Sequence, residues 1–503
     1  MKQVDLKQII NTFIDEAMEL NDLPGLVIGV SLAGEKYTFA RGVRDKVTGD
    51  PLQADDVFHC ASVSKLFTSS AILKLVASGV LGPEDRLCDI LPELFREEER
   101  GETKEKTGAG TEAKNEGETE VEAGAEAGVE AGVEAGVKVE SRIADRRYTS
   151  NSSGRADSDR FVDPRWREVR LYQMLSHTAG IGDVTDYHWE QALTGDDALS
   201  NYVRSPEVTN PPLLWAPGEG GFRYSNIAYE ILGYIVSVKS GESYEDFVQR
   251  FLMEPTGMID STMKTFERLG VSAGDDCPLI TEEIRRKNAA ASSGCETASF
   301  GGTEAPASGG SKTAVSDGCD CCTPWHPMAL PHEKAHDRSI VPVEYYPYTR
   351  NHAPSSTLTS TAADLLRWAR AHIDGFAAAE TIERASVAPN ETVASRIAAD
   401  ATPPAAHSDL LSPGTYQHIR HEYAEVPNNR EKMGLGWFMR RQGGYQLYGH
   451  EGTDDGFRAS LWICPKLKLV IVVLSNLSGA PVKKLNKKLF GRITEGSANS
   501  IAL

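Results

Sequence analysis

No apolar run in the 503 residues reaches the roughly 20 needed to cross a bilayer. The longest near the end is Leu469 to Leu474. The N-terminus lacks an apolar signal segment, and Asp5, Asp15 and Glu16 exclude a transit peptide. These absences predict a cytoplasmic protein with no membrane partner. Cysteine is sparse. Eight are scattered along the chain, which implies no disulfide framework at this length. Cations are outnumbered, 53 Lys and Arg against 72 Asp and Glu. The net charge of -19 excludes nucleic acid as an expected partner, and an anionic membrane too.

What is present divides into one folded unit and three inserts. Hydrophobic residues make up 40% of the chain, enough for a large core once the low-complexity parts are set aside. Residues 96–160 are rich in Gly, Glu and Ala, with Glu-Ala-Gly-Val repeats from Glu126 to Val137. Such a stretch buries too little surface to offset its ordering entropy, so it reads as a disordered acidic insert. Residues 273–335 form a second low-complexity insert, and residues 377–407 a third, polar one. The second holds Cys319-Asp320-Cys321-Cys322, with His326, His332 and His336 nearby. The spacing matches no paired zinc-ligand arrangement, so the cluster reads as idle thiols and no metal is expected.

The rest has clear periodicity. Leu6 to Leu20 predicts an amphipathic helix ended by Pro24-Gly25. Leu26–Leu32 and Lys36–Val43 predict a hairpin. Short helices are expected at Val169–Leu175, after Asn226 and at Tyr244–Leu252, and Thr361 reads as the N-cap of a longer one. Strands are expected at Leu435–Arg440, Tyr445–Tyr448, Phe457–Cys464 and Leu467–Ser475, then a helix at Lys484–Ile493. Hairpins at both chain ends, with helices between, give an α+β class: one antiparallel sheet built from both ends, flanked by helices, with a mostly helical middle.

Candidate chemistry centres on His59-Cys60-Ala61-Ser62-Val63-Ser64-Lys65. Ser62 and Lys65 stand three apart at the head of an apolar segment closed by Gly79, so both lie on one helical face. A lysine whose pKa is lowered by burial can take a serine proton. Unpaired N–H groups at a helix start favour an oxyanion. A second Ser-x-x-Lys, Ser261 to Lys264, follows a turn without an apolar helix and reads as a surface turn. Two further motifs complete the set. In Tyr224-Ser225-Asn226, a phenolate stabilised by cations can act as a base, and Asn226 can hold Lys65 and a substrate amide. In His450-Glu451-Gly452, the histidine can donate to substrate or to the tyrosine oxygen, and the glycine lets a substrate backbone approach an edge strand.

Ser62-x-x-Lys65, Tyr224-x-Asn226 and His450-x-Gly452, in that order, resemble the serine beta-lactamase-related family, the group of class C beta-lactamases and penicillin-binding-protein-like esterases. Leu175 to Gly180, Trp215 to Gly218, Pro255 to Met258 and Ser360 to Asp364 resemble its flanking segments. The resemblance implies a beta-lactamase/transpeptidase-like fold, a Ser62 acyl-enzyme, and proton handling by Lys65 and Tyr224. It also implies that Asn226 orients substrate, that the Ser62 and Thr453 N–H groups form the oxyanion hole, and that no cofactor is used. One departure matters. Where beta-lactamases and peptidoglycan peptidases carry Lys-Thr-Gly, this chain has His450-Glu451-Gly452, and its Lys106-Thr107-Gly108 falls in the acidic insert. The expected activity is therefore hydrolysis of a small-molecule ester or small amide. The alternatives are D-amino-acid peptidase or beta-lactamase activity, and a non-catalytic relative that uses the fold for binding or self-assembly. Glu451 is expected beside the site, disfavouring anionic substrates.

Overall fold

The computed structural model describes residues 6–95, 161–268 without 185, 190 and 192, 280–292, 326–385, 410–427 and 430–501. The acidic insert 96–160 lies outside them, as does the Cys319–Cys322 cluster.

The sheet comes from both chain ends, as its alternating apolar segments dictate. Helix α1 (Leu6–Asn21) leads into the hairpin β1 (Gly25–Leu32) and β2 (Glu35–Gly42). Late in the chain come β3 (Ala424–Glu425), β4 (Lys432–Met433), β5 (Phe438–Gln442), β6 (Tyr445–Asp454), β7 (Phe457–Cys464) and β8 (Leu469–Ser475). All neighbouring pairs are antiparallel, in the order β2-β1-β8-β7-β6-β5-β4-β3.

Every residue of β8 is buried, because helices cover both sheet faces. Leu469, Ile471 and Val473 enter one core, shared with α1 and the last helix. Val470, Val472 and Leu474 enter the other, larger core, shared with the helical middle. The two-residue repeat of a strand produces this split. The larger core contains α2 (Ser64–Ala77), in which all residues but Lys74 and Ala77 are buried. It also receives α3 (Asn226–Ser240) and α4 (Ala362–Ala385), where Trp368 stacks on Phe67 at 4.3 Å between ring centres. Thr361 caps α4, its Oγ1 accepting from the Asp364 N–H at 3.1 Å. Helix α5 (Val482–Ile501) closes the chain. Among the described residues no helix is long and apolar enough to cross a membrane.

Several elements exceed or shift from their expected bounds. Helix α4 runs on to Ala385, into the stretch read as a polar insert. Residues 273–335 hold a helix, Ile280–Ser292, and a short strand, His332–Lys334. That helix docks through Ile284 and Asn288, one turn apart, with Asn288 bonded to both backbone groups of Met328. A single apolar contact per two turns leaves little periodicity to read. The strand expected from Leu435 starts at Phe438, since Gly436 (φ 80°) makes a turn. Strand β6 continues six residues beyond Tyr448, to Asp454.

Candidate active site

The nucleophile candidate sits where a short 3-10 turn, Ala61–Val63, runs into α2. Ala61 holds a left-handed φ of 48°, an uncommon and costly conformation for alanine, directly before Ser62. Strand β6 presses on this turn. A Cβ added at Gly452 would lie 2.3 Å from the Cys60 carbonyl oxygen, so only glycine allows the approach. Strand β5 pairs with β6 only from Tyr445 to Gly449. The edge from His450 to Asp454 on that side is therefore left unpaired by β5, while β7 pairs with its other side.

Lys65 is fully buried, one turn behind Ser62. Its Nζ lies 3.1 Å from Ser62 Oγ, 2.5 Å from Asn226 Oδ1 and 2.9 Å from the Ser355 carbonyl oxygen. Burial lowers its pKa to about 8, against the upward pull of Glu230, Asp183 and Asp454. Ser225 positions the second motif. It is the N-cap of α3, its Oγ accepting from the Ala228 N–H at 3.1 Å and donating to the Gly182 carbonyl at 2.7 Å. Its own N–H donates to His177 Nδ1, which places the Ser176-His177 turn against it. Tyr224, just before the cap, lies within the electrostatic reach of Ser62, and its ring centre is 5.0 Å from Lys65 Nζ.

Five sequence expectations are refined or corrected here. Burial drives the Tyr224 phenol well above its usual range, so the group rests as a neutral hydroxyl and not as a cation-stabilised phenolate. Asn226 turns its oxygen to Lys65, but its NH2 donates to Asp183 and Tyr187, which occupies the group expected to meet a substrate amide. His450 is buried, and burial lowers its pKa to about 3. Its Nδ1–H donates to the Glu451 carbonyl at 2.6 Å, which leaves Nε2 an acceptor, not the expected donor. Among the described residues Nε2 has no partner, and the ring stands 6.1 Å from that of Tyr224. Glu451 does not stand beside Ser62. It accepts from Trp462 Nε1 at 2.7 Å, in the core under the terminal helices, on the other sheet face. The rival Ser261 is not at the surface either. It is buried, bonded to Ser360 and Asp364, while Lys264 pairs with Asp246 and Glu267.

Sequence reading missed the layer behind these groups. Asp454, at the end of β6, accepts from His59 and Ser356, each at 2.7 Å. Glu230 is buried on α3, with Ser355 Oγ and His352 Nδ1 on the same carboxylate oxygen. These partners stand 98 to 395 residues apart, beyond any local pattern.

The geometry is therefore a buried amine on one hydroxyl, with a phenol near both, beside a strand edge that β5 leaves unpaired. The sequence profile of the beta-lactamase family matches residues 10–491. The chain belongs to the beta-lactamase family. It is thus a serine hydrolase of the beta-lactamase-related type. Penicillin-binding protein 4 of Amycolatopsis lactamdurans is 23% identical over 459 residues, covering 90% of this chain and 81% of that protein. Esterase EstB of Burkholderia gladioli is 24% identical over 267 residues, half of each chain. In architecture, this beta-lactamase-family chain is similar to D-amino acid amidase from Ochrobactrum anthropi SV3, solved with L-phenylalanine amide. The TM-score is 0.58 at 15% identity, over 99% of both chains.

Proposed function

We propose that the protein cleaves an ester or a small amide through an acyl-enzyme on Ser62. One observation carries this reading: the 3.1 Å contact between Ser62 Oγ and the buried Lys65 amine, whose pKa is lowered to about 8. The neutral amine accepts the serine proton as Oγ bonds to the substrate carbonyl carbon. The carbonyl electron pair moves onto oxygen, held by the backbone N–H groups of Ser62 and Thr453. When the tetrahedral centre collapses, the leaving group takes a proton from Tyr224, and Lys65 returns its own to the phenol. Water then attacks the acyl carbon and passes a proton to this pair. The carbon–Oγ bond breaks, and Ser62 regains its hydrogen. Asn226 aims Lys65, Gly452 holds the strand edge close, and His450 Nε2 accepts from substrate or from Tyr224.

Esters and small amides are favoured by two things. The relatives named above include an esterase and an amidase. The Lys-Thr-Gly lysine is replaced by His450, which burial keeps neutral, so the cleft side of β6 carries no cation at that position. The test is a panel of p-nitrophenyl esters beside a chromogenic cephalosporin. Faster turnover of an ester, lost at least a thousandfold in Ser62→Ala and in Lys65→Met, is the expected result. Ester turnover that survives both substitutions contradicts the reading.

A further inference from the structure

An oxyanion hole shared by Ser62 and Thr453 draws its two N–H donors from different elements, the turn before α2 and the end of β6. Contacts between those elements must set the spacing of the donors. Strand β5 stops pairing with β6 at Gly449, so it does not hold this end. Gly452 supplies one contact, through its close approach to the Cys60 carbonyl. Asp454 supplies another, to His59. Residues two apart on a strand share a face, so both contacts fall on the same side of β6. Thr453 is thus bracketed by two fixed points.

The second point is a polar clamp. A single oxygen of Asp454, Oδ2, accepts from His59 Nε2 and from Ser356 Oγ, each at 2.7 Å. The carboxylate is only 6% exposed and the imidazole is fully buried, so water competes little for these bonds. An ionised carboxylate only accepts, which puts the His59 proton on Nε2. Nδ1 is then left buried, with no partner among the described residues. The ring packs on Tyr346 and Phe457. A histidine that carries an unpaired nitrogen into the core spends its one N–H on Asp454. Both partners lead to the reacting groups. His59 stands three residues before Ser62, in a two-residue strand, Phe58–His59, paired with Thr359–Ser360. Ser356 follows Ser355, whose carbonyl accepts from Lys65 at 2.9 Å and whose hydroxyl donates to Glu230. One carboxylate thus joins the edge strand, the approach to the nucleophile and the loop that holds its amine.

We propose that Asp454 is a positioning residue, a clamp that holds the Thr453 N–H at its working distance from Ser62 through His59 and Ser356. This rests on the hydrolase reading above, and the test separates the two. In the full chain, Asp454→Ala and His59→Phe break the clamp, whereas Asp454→Asn keeps an acceptor and His59→Gln a donor. In the first pair, kcat and kcat/KM for the best p-nitrophenyl ester should fall together by about a hundredfold, and the double variant should be no slower than either. The conservative pair should stay within about fivefold of wild type. Asp454→Asn also removes one of the three carboxylates that raise the Lys65 pKa, Glu230 and Asp183 being the others, so its rising pH limb should move to more acid pH. His177 and His450 also lie in the Lys65 field, but their pKa values are lowered and they stay neutral in this range. A merely structural role would not move that limb. Independently of turnover, hydrogen exchange read by mass spectrometry should show the peptide 450–457 exchanging faster in Asp454→Ala and in His59→Phe than in wild type. Unchanged exchange there, or turnover within twofold of wild type in either clamp-breaking variant, overturns the proposal. Faster exchange in a protein whose wild type turns over no ester upholds the clamp and sinks the hydrolase reading.

Discussion

At Lys65 two opposing effects meet, and burial wins over three carboxylates. The amine serves as a base only when neutral, so activity should rise with pH, with a midpoint near the pKa of about 8. The sign of the tuning follows. Glu230 raises the lysine pKa, so Glu230→Gln should lower it and move the rising limb of kcat/KM to more acid pH. A limb that moves to higher pH, or stays fixed, contradicts the assigned electrostatics. Such a profile also separates tuning from simple loss of structure, which would lower the plateau and leave the midpoint in place. Tyr224 stays neutral across this range, because burial pushes its phenol upward. It therefore acts as a relay whose proton is replaced in each half-reaction.

The strand β6 and the turn before α2 form one working element. They meet at Gly452, where a methyl group would fall 2.3 Å from the Cys60 oxygen. Gly452→Ala should push the strand from the turn, cut kcat/KM by roughly a hundredfold and cost about 1–3 kcal/mol of stability. Urea unfolding beside ester kinetics would measure both, and wild-type kinetics in the variant would contradict the packing. This element was only half legible in the sequence. Ser62, Lys65, Tyr224 and Asn226 are legible because each begins or precedes a helix rich in apolar residues. The extension of β6 to Asp454 was not, because His450-Glu451-Gly452-Thr453-Asp454 is mostly polar and alternates without an apolar face. For the same reason the sequence pattern does not reveal the side of the strand that Glu451 takes. Only the pairing register and the Trp462 bond reveal which face it takes.

For the whole molecule, the inserts and the buried histidines set the terms. Phe95 and Phe161, which flank the acidic insert, pack against each other with ring centres 5.2 Å apart. The chain thus leaves and returns at one point of the fold. Excision of residues 100–155 should change turnover of the best ester less than twofold, and a collapse of activity in folded protein would give the insert a role in the reaction. Acid should destabilise the fold. His372 and His450 are buried, with pKa values lowered to about 3, and His177 is lowered too. Below about pH 6.5 the unfolded chain takes up protons that the native one refuses, so each of these histidines subtracts about 1.4 kcal/mol per pH unit. Urea midpoints at pH 7.5 and 5.5 would measure this, and equal midpoints would contradict it. Across all scales the account depends on one bond forming at one oxygen. The most direct measurement is mass mapping of the protein after reaction with a fluorophosphonate. A single adduct on the Ser62 peptide, slowed strongly by Lys65→Met, is the result predicted. An adduct on another residue, or none on folded active protein, would contradict it.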